Sequence, residues 1–142
     1  MSRALAVIAG CLVLCARFAH ADAVATNVRE LGQSPNYRSR LAAALTLAKS
    51  RDPRAVIALS DALEHDDNAT IRRVAALALG KAVDEHTPDD ARQLAVDALD
   101  RAAGHDSDRA VRASSKRSIA TIASLNARPT GPRPEVFVNV EA

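Results

Sequence analysis

Residues 71–80 read Ile71-Arg72-Arg73-Val74-Ala75-Ala76-Leu77-Ala78-Leu79-Gly80, and this stretch decides the fold. Ile71, Ala75, Ala78 and Leu79 recur at three- and four-residue intervals, the spacing that places side chains on one face of an α-helix. Alanine occupies many of these positions, so neighbouring helices can approach closely without large aromatic side chains. The stretch therefore predicts an amphipathic helix that packs tightly against others.

The same pattern recurs three times, which indicates a repeat protein. Segments that begin at Tyr37, Ile71 and Val111 each continue with an arginine and carry a large aliphatic residue eight positions on. This alignment gives spacings of 34 and 40 residues and places the six additional residues in a loop around 84–90. The arginines that follow the three starting residues are expected to share one structural position. They are Arg38, Arg72 and Arg112.

Each unit is predicted to consist of two helices. Ser34-Pro35, Asp52-Pro53 and Thr87-Pro88 each place a capping side chain before a proline, and Gly104 is a plausible helix end. The expected helices span 24–32, 35–49, 53–65, 69–82, 88–103 and 108–125.

This arrangement resembles the HEAT repeat, in particular the short bacterial form related to phycobilin-lyase-type repeats. The resemblance covers roughly residues 24–125 and is carried by Asp52-Pro53-Arg54-Ala55-Val56, Leu59, Leu63, Ile71-Arg72-Arg73-Val74-Ala75-Ala76 and Ala78-Leu79-Gly80. It implies an all-α fold, a short right-handed α-solenoid of about three helix pairs whose second helices line the concave side. It also implies a non-catalytic scaffold or module that binds other proteins.

The first 21 residues are typical of an export signal. Arg3 precedes an apolar run over residues 4–16, which is too short to span a membrane, and Ala19-His20-Ala21 offers small residues to a signal peptidase. We expect residues 1–21 to be removed, residues 22–126 to form the repeat domain, and the protein to be periplasmic or secreted. Ile8-Ala9-Gly10-Cys11 resembles a lipobox, so a lipid-anchored envelope component is an alternative.

Signal removal would change the chemistry of the chain. Arg3 and Arg17 would leave with it, so the net charge of +2 becomes zero, with 17 basic and 17 acidic residues. Cys11 and Cys15 are the two cysteines of the sequence and would leave as well. The mature chain would then form no disulfide.

The charges separate by helix. Segments 36–49, 70–81 and 109–125 hold ten basic residues and no acidic residue. In one interpretation, aligned aspartates and arginines pair with one another. In the other, unpaired basic side chains form a stripe that binds an acidic protein partner. The candidates for this stripe are Arg40, Arg73, Lys116 and Arg117.

The composition argues against several other functions. Aromatic residues make up 2% of the chain, which excludes a base-stacking nucleic-acid platform and poorly suits a tetrapyrrole pocket. His65, His86 and His105 lack a compact zinc spacing, and no nucleophile-elbow, P-loop or dinucleotide-binding signature occurs. We therefore expect no catalytic residue, metal, cofactor, nucleic-acid partner or membrane span. A lyase-type or chaperone-like protein that acts on a bound chromophore, metal or protein is the enzymatic alternative.

The C-terminal residues 127–142 differ from the repeats. A proline-rich linker is followed by an alternating segment, in which valines occupy one face and Phe137 the other. The tail is expected either to be disordered or to add a strand to a partner's sheet or to another copy of the chain. The residues of this candidate strand are Val136, Phe137, Val138 and Val140.

Overall fold

A computed structural model describes residues 23–126, which form six α-helices and contain no strand within that range. The helices are α1 (23–33), α2 (Tyr37–Leu47), α3 (Pro53–His65), α4 (Ala69–Ala82), α5 (Asp89–His105) and α6 (Arg109–Asn126). The prediction of an all-α solenoid is confirmed over this range. The proposed signal at 1–21 with Cys11, and the proposed tail at 127–142 with Val136, Phe137, Val138 and Val140, lie outside the described residues.

The helices form two layers, with α1, α3 and α5 in one and α2, α4 and α6 in the other. Within a unit, α3 packs against α4 and α5 against α6; between units, α3 contacts α5, and α4 contacts both α2 and α6. One continuous core of leucine, alanine, valine and isoleucine runs between the layers. Each unit therefore buries its apolar faces mainly against its neighbours, as in a solenoid.

A short polar motif starts the second helix of every unit. The side chains of Asn36, Asn68 and Asp108 each accept a hydrogen bond from the backbone N–H two residues further on, at 2.7–2.9 Å. The residue two positions before each cap accepts from the N–H of the cap itself. These preceding residues are Ser34, Asp66 and Asp106. The caps satisfy N–H groups that the first helical turn leaves without a partner.

The caps correct the repeat register inferred from the sequence. Spacings between equivalent caps are 32 and 40 residues, so Ser39, and not Tyr37, corresponds to Ile71 and Val111. The equivalent arginines are therefore Arg40, Arg72 and Arg112, and the assignment of Arg38 to this position was wrong. The longer spacing also does not come from the loop at 84–90 alone, because α5 has 17 residues where α3 has 13.

These arginines link consecutive units through ion pairs. Arg40 donates from Nε and Nη2 to the two carboxylate oxygens of Asp66 at 2.9 and 3.2 Å, and Arg72 donates to those of Asp106 at 2.8 and 3.0 Å. Each arginine also donates from Nη1 to a carbonyl oxygen six residues earlier in its own unit, that of Ser34 or Asp66. We call this series of contacts the Arg–Asp ladder.

The ladder is largely shielded from solvent. The exposed fractions of the side chains are 13% for Arg72 and 7% for Asp106, and the Arg40–Asp66 pair has closely similar values. Hydrogen bonds from Arg72 hold the pKa of Asp106 below its ordinary value of 3.8. The contribution of this carboxylate to stability is therefore complete above that value and is lost as the pH falls towards the lowered pKa.

Some predicted helix ends differ from the structure. Asp52 caps α3 with Pro53 in the first turn, as predicted. Asn36, and not Ser34, caps α2, so Pro35 lies outside the helix. Thr87 closes the loop before α5 by accepting from the Asp84 N–H, and α5 passes through Gly104 to end at His105.

Gly80 marks the closest approach of α4 and α6. A Cβ atom at this position would lie 2.7 Å from Oγ, 3.0 Å from Cβ and 3.2 Å from Cα of Ser118. The side-chain oxygen could rotate away, but the backbone Cα could not. The absence of a side chain at Gly80 therefore allows the contact between the two helices.

We expect Gly80→Ala to destabilise the protein by about 1–3 kcal/mol, because α4 and α6 would have to separate. Gly104→Ala is the matched control, since a Cβ at that helical position meets nothing within 4 Å. This control should stabilise the protein by about 0.5–1 kcal/mol through the lower backbone entropy of alanine. Urea unfolding measures both changes, and a stabilised Gly80→Ala protein would contradict the close approach.

Candidate functional site

The outer surface of α2, α4 and α6, which we call the second-helix face, carries exposed basic residues. Five of them are Arg38, Lys49 just after α2, Arg73, Lys81 and Arg117; Arg109 and Lys116 of α6 are exposed as well. None of these five forms an ion pair with another residue in the range 23–126. Acidic residues that could neutralise them lie on the first helices and in the loops. The second-helix face therefore has a net positive charge.

A groove of about 380 Å³ crosses this face between the three helices. Its apolar floor includes Leu45, Val74 and Leu77, and its basic rim consists of Lys81 and Arg117. The remaining lining residues are Ala48, Ala78, Gly80, Ser118 and Thr121. Leu45 is 52% exposed, a large exposure for a leucine. We call this surface the basic groove.

The repeat register explains how the groove forms. Leu45, Leu77 and Arg117 occupy equivalent positions in the three units, spaced by the same 32 and 40 residues as the caps. Stacking of the units therefore places them in one row across the second-helix face. Lys49 and Lys81 are likewise equivalent and lie one helical turn beyond the two leucines. The third unit has a cation in the leucine row, so the groove is apolar at one end and basic at the other.

The structure separates the four residues of the predicted stripe. Arg73 is exposed on α4 and Arg117 lines the groove. Arg40 does not belong to a free stripe, because its guanidinium is held by Asp66 and Asp67. Lys116 is exposed in the last described unit, although it occupies the position of Ala76, which is fully buried in the middle unit. Lys116 therefore lies at the C-terminal end of the stack.

Sequence reasoning missed Arg38, Lys49 and Lys81 as members of the basic surface. The misaligned first unit caused the first omission, since Arg38 was given the structural role that Arg40 fills. The spacing of Lys49 and Lys81 equals the repeat length, and this signal could have identified both lysines. Leu45 and Leu77 have the same spacing.

The first-helix layer offers a larger cavity with a different character. About 610 Å³ lies between α1 and α3, where Ile57 is 51% exposed. Arg29, Arg54 and Asp61 line it, and Arg54 is hydrogen-bonded to Asp52. Positive and negative side chains both line this cavity, so it has no electrostatic preference for an acidic or a basic partner. The basic groove is the surface with a definite electrostatic preference.

Two other kinds of feature are absent from residues 23–126. No group of three or more histidine, cysteine or acidic side chains there is arranged to hold a metal ion. No helix among these residues has the length and apolar character needed to cross a membrane.

Comparison with known protein families identifies a repeat family that the chain matches. A family model described as HEAT repeats matches residues 3–80, which is more than half of the 142-residue chain. The match ends within α4, although the structure continues the repeat through α6. Neither a curated protein nor a solved structure matches the chain.

Proposed function

The chain belongs to the HEAT-repeat family, and on that premise we propose that it is a non-catalytic interaction module whose basic groove binds an acidic segment of another protein. HEAT repeats generally mediate protein–protein interactions. The observation that carries the finer proposal is that one groove combines the exposed Leu45 and the half-buried Leu77 with Lys81 and Arg117, which form no ion pair among residues 23–126. The proposed ligand is a segment in which aspartate or glutamate flanks aliphatic side chains.

The apolar floor supplies the short-range part of the proposed interaction. Leu45 is exposed and Leu77 is half-buried, although most large aliphatic residues in the range 23–126 are buried. Covering apolar surface contributes roughly 25 cal/mol per Å² before the costs of association are subtracted. A purely electrostatic surface would not need these leucines.

The basic rim supplies the selectivity. Lys81 and Arg117 line the groove, Arg73 is exposed on α4, and the acidic residues in the range 23–126 lie outside the groove lining. Exposed charges act over about 8–10 Å at physiological salt, so these cations would attract acidic segments and repel basic ones. We therefore expect binding to weaken as the salt concentration rises.

We also propose that the protein is exported and acts in the periplasm or outside the cell. The support is sequence-based and consists of Arg3, the apolar run and the small residues at Ala19 and Ala21. Loss of Cys11 and Cys15 with the signal would suit an oxidising compartment, because the remaining chain has no thiol.

The groove proposal predicts the effect of charge reversal. Peptides selected by display against the protein without its signal should be rich in acidic and aliphatic residues. Their affinity should fall about tenfold or more for Lys81→Glu/Arg117→Glu, because both side chains line the groove and each reversal removes an attraction and adds a repulsion. Fluorescence anisotropy at two salt concentrations measures the change.

The matched control makes the same charge change away from the groove. Arg109→Glu/Lys116→Glu reverses two exposed cations on α6 outside the groove lining. It should change peptide affinity less than threefold, about 0.65 kcal/mol. Selection of neutral peptides, or equal losses in both variants, would contradict the groove as the binding surface.

The export proposal predicts the mass of the purified protein. Expression of the whole sequence in a bacterial host should yield a chain that begins at Asp22, which intact mass spectrometry identifies. Ala21→Arg should block processing, because signal peptidase requires a small residue there. An unprocessed chain would contradict export through this signal, and a diacylglyceryl-modified Cys11 would replace free export with lipid anchoring.

A further inference from the structure

The exposed aliphatic side chains of the protein fall on two surfaces. Among residues 23–126, the large aliphatic side chains that are exposed are Leu45 at 52%, Ile57 at 51% and Leu94 at 38%. Leu45 lies in the basic groove. Ile57 and Leu94 line a cavity of about 450 Å³ between α3 and α5, in the other layer of helices. Each of the two layers therefore presents an apolar contact surface.

The surface on α3 and α5 carries acidic side chains in place of basic ones. Asp90 and Asp97 lie four residues before and three residues after Leu94, so the three side chains share one face of α5. Neither aspartate forms an ion pair within the range 23–126. Arg54 also lines the cavity, but Asp52 binds its guanidinium. We call this surface the acidic ridge, and it consists of Ile57, Asp90, Leu94 and Asp97.

The acidic ridge has the composition that the basic groove would bind. The proposed ligand of the groove is a segment in which aspartate or glutamate flanks aliphatic side chains, and the ridge has an aspartate on either side of Leu94. The groove in turn offers Lys81 and Arg117 around the exposed Leu45. The two surfaces are therefore complementary in charge, and each has an exposed aliphatic side chain for the other to cover.

We infer that the partner of the basic groove is a second copy of this chain, which places its acidic ridge in the groove. The inference rests on the proposed function, because it assigns a ligand to the same site. In this contact the aspartates of the ridge lie against Lys81 and Arg117, and its aliphatic side chains cover Leu45. The contact thus removes the exposed aliphatic side chains of both surfaces from water.

Charge also determines the geometry of the assembly. Contact between two basic grooves, or between two acidic ridges, would bring like charges together, so a two-fold dimer through either surface is disfavoured. The groove lies on the layer of α2, α4 and α6, and the ridge lies on the opposite layer. The contact is therefore head-to-tail and leaves a free groove at one end and a free ridge at the other, to which further copies add. A net charge of only +2 opposes this association weakly.

Sedimentation velocity of the signal-free chain, residues 22–142, tests the inference. At low salt the average mass should rise with concentration beyond that of two chains, and at high salt it should fall towards that of one chain. Lys81→Glu/Arg117→Glu removes the basic rim, and Leu94→Gln/Asp97→Asn removes part of the ridge. Each double variant should weaken the association about tenfold or more, with the circular dichroism of the folded protein retained.

A mixture of the two double variants tests the head-to-tail contact itself. One variant keeps an intact ridge and the other an intact groove, so together they should form a dimer that does not grow further. Arg109→Glu/Lys116→Glu and Glu30→Gln/Glu85→Gln are the matched controls, because these exposed side chains line neither surface. Both controls should associate within about threefold of the wild type.

Three results would overturn the inference. They are a wild-type mass that stays at one chain or stops at two, association that persists in either double variant, and a mixture that forms no dimer. Peptide binding separates this failure from failure of the proposed function. A monomeric wild-type protein that still binds the selected acidic peptides overturns the self-association alone, whereas one that binds neither peptide nor copy also contradicts the groove.

Discussion

The bidentate contact between an arginine of one unit and an aspartate of the next is the interaction on which the rest of the structure depends. Arg72 and Asp106 form this contact, and the surrounding residues leave their side chains only 13% and 7% exposed. Asp106 also accepts from the N–H of Asp108, the cap of α6. One carboxylate thus ties the start of α6 to α4, and the small residues of the core provide the space in which the units stack. Because loss of either partner would leave a poorly solvated charge, the pair strongly penalises any other register of the units.

The same register creates the candidate site. Stacking places Leu45, Leu77 and Arg117 in one row, although each belongs to a different helix. Asp66 and Asp106 are bound by the arginines of the ladder, and Arg73 and Lys81 form no ion pair in the described range. A protein with a net charge of only +2 can therefore still present a basic surface. Segregation of charge between the layers, more than total charge, determines which partner the groove attracts.

The sequence predicted much of this architecture, because aliphatic periodicity and capping residues are local signals. All six helices and the second and third repeats follow from them. The first repeat was misaligned by two residues, since Arg38 and Arg40 both fit an arginine followed by aliphatic residues. The polar pair before each second helix, Ser34 and Asn36 in the first unit, distinguishes the two alignments. The choice of Arg40 as a free cation failed for the same reason, as its partner Asp66 lies 26 residues away in another unit.

The central claim is that the Arg–Asp ladder couples the repeat units, and a double-mutant cycle on Arg72 and Asp106 tests it most directly. Urea unfolding at pH 7 would compare Arg72→Met, Asp106→Asn and the double variant with the wild type. The single changes should each cost about 3 kcal/mol, and the double variant should cost at least about 1 kcal/mol less than their sum. A parallel cycle with Arg73→Met, an exposed neighbour, should show additive costs. Additivity within about 0.5 kcal/mol for Arg72 and Asp106 would contradict the claim.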